Sequence, residues 1–127
     1  MNNIEQIIGT YKAHEYDIKS PFWNNFVLNI FKKENQIFFT FEMTTEGAVG
    51  KIGKVWEGRG FLRADHLALV IDYEIDWIFT SDDNQISEHR TPKNESLPVE
   101  IYTVSDSIIV YHKYIDRYIE LKKINEQ

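Results

Sequence analysis

Residues 26–43 read FVLNIFKKENQIFFTFEM. Folded about a turn at Glu34-Asn35, this stretch sets Ile30 opposite Phe39, Leu28 opposite Phe41 and Phe26 opposite Met43. The other face then carries Val27, Asn29, Thr40 and Glu42. Side chains alternate across a strand, so one apolar face and one mixed face mark an antiparallel hairpin buried on one side. A slip of one residue would turn the whole apolar set outward, so every further turn tests the reading.

Residues 53–79, GKVWEGRGFLRADHLALVIDYEIDWIF, pass the same test about a turn at Ala64-Asp65. Leu62 falls opposite Leu67, Gly60 opposite Leu69, Gly58 opposite Ile71 and Trp56 opposite Tyr73, with Ile75, Trp77 and Phe79 continuing the inward set. The outward set holds Glu57, Arg59, Phe61 and Arg63 against Ala68, Val70, Asp72, Glu74 and Asp76. In residues 99–113, VEIYTVSDSIIVYHK, a turn at Asp106-Ser107 sets Thr103 opposite Val110, Ile101 opposite His112 and Val99 opposite Tyr114. A last turn at Ile115-Asp116 brings Ile119 beside His112 and Leu121 beside Val110.

A first strand over Gly9 to Asp17 completes a meander of about eight or nine antiparallel strands. Helical periodicity is confined to the first eight residues, where Asn2 or Asn3 could cap a single turn. A sheet this long with one apolar face must curl to bury it and remove its edges. The expected fold is all-β, a single domain over residues 1–127 closed into an up-and-down barrel, with a two-sheet sandwich as the alternative.

The 127 residues suffice to bury roughly two-thirds of the unfolded surface. With 43% hydrophobic and 14% aromatic residues, the chain is not of the disordered class. Its acidic balance, 20 Asp+Glu against 14 Lys+Arg for a net charge of -6, speaks against nucleic acid and anionic membrane as partners and leaves room for a basic protein. No cysteine is present, which removes thiolate catalysis and Cys-ligated metal. Glu5 stands where a secretory leader carries basic residues, and no window reaches the ~20 apolar residues of a membrane span, so the expected location is cytoplasmic.

The start Gly9-Thr10-Tyr11, the meander and the basic-aromatic pair Arg117-Tyr118 near the end resemble the calycin group, the lipocalins and fatty-acid-binding proteins. That group carries a Gly-x-Trp in its first strand and an arginine late in the barrel that covers it. Here Tyr11 replaces the tryptophan, and Arg117 and Tyr118 are adjacent where fatty-acid-binding proteins have Arg-x-Tyr. The resemblance implies a calycin-like barrel around a small apolar ligand, with Arg117 stacked on Tyr11 or paired with a ligand carboxylate.

The expected ligand site is the inward set Tyr11, Phe41, Trp56, Gly58, Gly60, Tyr73, Trp77 and His112, with Arg117. Tyrosine and tryptophan need hydrogen-bond partners when buried, so a pocket lined by them has polar points as well as apolar area. Gly58 and Gly60 either coil the sheet or leave volume beneath Trp56 and Tyr73; closure of a barrel asks for the first in any case. His112 reads as a core histidine first and as a hydrogen-bond donor to ligand second. The WEGRG stretch is no phosphate loop, since no helix follows it.

Asp72, Glu74 and Asp76 read as a solvated outer stripe. The sharper reading is a docking surface for a basic partner, extended by Asp82 and Asp83 and by residues 80–98, TSDDNQISEHRTPKNESLP, as a long loop. This second function would be that of an inhibitor or immunity-type protein. A third, acid/base catalysis by His112 with a tyrosine, lacks a placed carboxylate or nucleophile. Four scattered histidines without HExxH spacing leave no metal or cofactor to expect.

Overall fold

Two left-handed residues in succession, Glu34 at φ 52° and Asn35 at φ 66°, turn the chain between its second and third strands. That is the backbone of the tight two-residue hairpin whose twist matches its strands. In the computed structural model, which describes residues 4–17, 22–47, 50–63, 66–80, 85–102, 106–113 and 115–124, nine strands follow a four-residue helix. They are α1 (Ile4–Ile7), β1 (Gly9–Asp17), β2 (Phe22–Lys33), β3 (Gln36–Gly47), β4 (Gly50–Leu62), β5 (Leu67–Thr80), β6 (Gln85–Leu97), β7 (Val99–Tyr102), β8 (Ser107–His112) and β9 (Arg117–Lys123).

All pair antiparallel in one sheet of order β6-β5-β4-β3-β2-β1-β9-β8-β7. Neighbours in sequence are therefore neighbours in the sheet, apart from the β1–β9 seam, where Tyr11 pairs with Lys123, and the step from β6 to β7. These two edge strands are separated by Pro98 alone. Leu97 still pairs with Leu69 of β5, while the Pro98 carbonyl accepts the Tyr111 N–H of β8 at 3.1 Å. The sheet is thus curled so far that its two ends are consecutive in the chain.

The inward residues of the first hairpin lie as the alternation requires: Ile30↔Phe39, Leu28↔Phe41 and Phe26↔Met43 are paired and buried. Leu62↔Leu67, Gly60↔Leu69 and Gly58↔Ile71 hold as well. Beyond Ile71 the expected register breaks. Glu57 pairs with Tyr73 and Trp56 with Glu74, because Asp72 is an extra residue forming a bulge. The bulge exchanges faces: Glu74, Asp76 and Ile78 now share the inner face with Trp56, Lys54 and Ile52, and Tyr73 and Trp77 lie outside. Gly58 permits it, since a Cβ there would sit 1.8 Å from the Val70 carbonyl oxygen.

Residues 80–98 are not a long loop. From Gln85 to Leu97 they form β6, with Ile86 66% exposed and Leu97 its one buried residue among those described. An edge strand shows charge and tolerates proline, which is why its sequence reads as loop. The last two turns are also shifted. Val99 pairs with Val110, Ile119 with Val110 and Arg117 with His112, displacements by even numbers that keep every apolar side chain on its expected face. The Ala64-Asp65 turn, Asn2, Asn3, Asp82, Asp83 and Tyr114 fall outside the described residues.

One end of the interior is plugged. Ile7 of α1 is fully buried, the Tyr11 hydroxyl donates to its carbonyl at 2.8 Å, and Lys123 Nζ donates to the Gln6 carbonyl at 2.9 Å. These bonds satisfy carbonyls that so short a helix leaves open. Ile30, Ile37, Leu67 and Leu69 fill the same end. Among the described residues no helix is long and apolar enough to cross a membrane.

Candidate functional site

The end opposite α1 differs in kind. Four rings meet across the interior at the level of Trp56, all buried: His112 lies 4.6 Å from Trp56, 5.4 Å from Phe41 and 5.9 Å from Phe26, centroid to centroid. Strands β4 and β8 are not sheet neighbours, so the Trp56–His112 contact spans the interior. At this level the concave side of the curled sheet is filled by side chains.

Above the rings stands a network of charge. Trp56 Nε1 donates to Glu74 Oε1 at 2.6 Å; Lys54 Nζ donates to Asp76 Oδ1 at 2.6 Å and lies 3.4 Å from Glu74 Oε2. The Lys54 and Glu74 side chains are only 15% and 20% exposed. Burial opposes the charge on Lys54, yet the two carboxylates together hold its pKa above the ordinary value. His112 goes the other way. Burial first, then the positive charges of Lys54 and Arg117, lower its pKa from 6.5 to about 4. At neutral pH its ring is uncharged and a poor proton carrier.

Further out on the inner face lies a concavity of about 190 Å³, lined by Met43, Thr45, Ile52, Gly53, Lys54, Asp76, Trp77 and Ile78. Ile52 and Ile78 face each other across β4 and β5, and each is 51% exposed. Two isoleucines on the concave face of a sheet with half their surface in water leave apolar area for another molecule to cover.

The structure brings Phe41, Trp56 and His112 together and puts Arg117 opposite His112 in register, where it pairs with Glu15 of β1. Tyr11 is buried too, but beside α1; the cation over its ring is Lys123, at 5.9 Å, so Arg117 does not cover it. Gly58 and Gly60 leave no inner volume. The Cβ position of the first is taken by the Val70 carbonyl, that of the second by Ile37 and Leu69. Tyr73 is turned outward under the Arg90 guanidinium, 4.4 Å from its ring centroid, and Trp77 lies over Gly53 on the outer face.

The acidic stripe is divided. Asp72 sits in the bulge, bound by both nitrogens of the Arg59 fork at 2.9 Å, while Glu74 and Asp76 belong to the inner network. Lys54 is the member that the alternation alone did not single out. Its signal was legible: it shares the inward phase of Trp56 and Gly58, and a cation on a burying face needs a carboxylate at its level. A larger concavity, about 350 Å³, opens on the outer face between Phe31, Phe38 and Tyr73. Its carboxylates, Asp72 and Glu57, are both answered by arginine, Arg59 and Arg90. Among the described residues no group of three or more His, Asp or Glu is placed to hold a metal ion. No protein-family model, curated protein or solved structure matches this chain.

Proposed function

We propose that the chain is a calycin-like barrel that binds a small apolar or aromatic molecule, without catalysis, at the end opposite α1. The half-exposed Ile52–Ile78 pair carries this reading, since among the described residues it is apolar area left in water on the concave face of the sheet. The junction of the edge strands at Pro98 supports closure. The ligand would rest its apolar part on Ile52, Ile78 and Met43 and direct a polar group towards Lys54 and Asp76. About 190 Å³ is below the ~300 Å³ at which drug-sized sites begin, which suits a molecule of about one ring.

Native against denaturing mass spectrometry on protein purified from cells tests this. A mass excess lost on denaturation is the expected result. Replacing Ile52 and Ile78 with lysine should abolish it while leaving the fold intact, because both side chains already meet water. An apo mass in both conditions, with no change in tryptophan emission on titration with small aromatic compounds, would overturn the proposal.

A further inference from the structure

Strand β6 pairs with β5 along one edge, and among the described residues no strand bonds the other. An exposed strand edge is a template for pairing with another chain. The residues on β6 decide which chain. Register against β5 puts Ile86, Glu88, Arg90 and Pro92 on the outer face, opposite Phe79, Trp77, Ile75 and Tyr73, and Ser87, His89 and Thr91 on the inner face, opposite Ile78, Asp76 and Glu74. Two copies of this strand, laid antiparallel about a two-fold axis through His89, bring Glu88 opposite Arg90 and Arg90 opposite Glu88. Ile86 then meets Pro92 beside them. On the inner face Ser87 meets Thr91, and the axis itself places His89 against its own copy.

Every one of these pairs is compatible, and the two charged pairs are favourable. Opposite charges directly across an antiparallel pair stabilise it, and like charges there destabilise it. Moving the axis to Glu88 or to Arg90 loses the match, setting Ile86 against Arg90 or Glu88 against Pro92. Ile86 is also the most exposed of the large hydrophobic side chains described, at 66%, and the pairing covers it. Arg90 already reaches Glu57 on its own chain, and its five donors can serve a second carboxylate.

We infer that the partner for this edge is a second copy of the chain, joined β6 to β6 in an isologous dimer registered by the Glu88–Arg90 pairs. The inference does not depend on ligand binding, since β6 lines neither of the two concavities described. Sedimentation equilibrium of the whole chain, over concentrations from micromolar to about a millimolar, tests it. Glu88→Arg should weaken the dimer by about tenfold, because each reversed contact occurs twice across the axis. Arg90→Glu should do the same, though it also removes the bond to Glu57. Glu88→Arg combined with Arg90→Glu should restore association, which a merely destabilised monomer would not. A wild-type chain that stays monomeric throughout, or a dimer indifferent to both single reversals, would overturn the inference.

Discussion

His112 sits buried in a cluster of rings with two cations nearby, and the consequence is a stability that depends on pH. Unfolded, the residue takes up its proton around the ordinary 6.5; folded, only around 4. Between those values the unfolded chain binds more protons, so the folded state loses stability as pH falls through the window. The loss ends near pH 4, where the folded form protonates too, and the full gap amounts to about 3 kcal/mol. Denaturant titrations at pH 7, 5.5 and 4 should show wild type losing this increment relative to His112→Gln. If the two proteins lose stability in parallel, His112 is not its source. Lys54 gives a second expectation. Lys54→Met keeps the apolar stem but leaves Glu74 and Asp76 facing inward without their cation, at a cost of about 1–3 kcal/mol.

Turns and bulges set the elements, and each makes its own demand on backbone shape. Glu34 and Asn35 both occupy left-handed conformations, which only asparagine and glycine adopt readily. Replacing the pair by Asn-Gly should raise stability by about 1 kcal/mol, read as a higher urea midpoint at constant slope. Two of the four glycines of β4, Gly53 and Gly58, should separate. Gly58→Ala drives a methyl into the Val70 carbonyl, a backbone group that cannot swing away, and should cost at least about 3 kcal/mol. At Gly53 the obstacle is the Trp77 ring, a side chain on the outer face with solvent beside it, so Gly53→Ala should cost less. The same elements explain what could be read from sequence. Hairpins with apolar residues in strict alternation, such as Leu28 opposite Phe41, left one register possible. At Asp72 the period of two fails, because β5 carries an extra residue there, and Tyr73, Ile75, Trp77, Ile78 and Phe79 supply apolar side chains in both phases. From that point the inner and outer sets were exchanged, which placed Tyr73 and Trp77 in the site and Glu74 and Asp76 outside it. β6 was hidden for another reason: residues 86–90 are exposed on both faces and, among the described residues, one edge is unpaired, so it has almost no apolar residues to alternate.

Across the whole molecule the sheet is held together by its first and last strands. Tyr11↔Lys123 and Lys12↔Lys122 join β1 to β9, and among the described residues β9 alone connects the β1–β6 meander to β8 and β7 by hydrogen bonds between strands. Removing β9 would expose edges on β1 and β8 and uncover the buried Ile108 and Val110. A chain lacking residues 117–124 should lose near-ultraviolet circular dichroism and unfold without a cooperative transition; a sharp two-state curve would show that β1–β6 is self-sufficient. The seam has a mechanical consequence as well. Gly9 and Lys123 lie at the same end of an antiparallel pair, so tension applied to them acts across the ladder rather than along it. Its hydrogen bonds would then open singly, like a zip, and not together as they do when strands are sheared past one another. Pulled from these two points, the molecule should yield at low force however stable it is at rest, because mechanical strength follows the direction of loading and equilibrium stability does not.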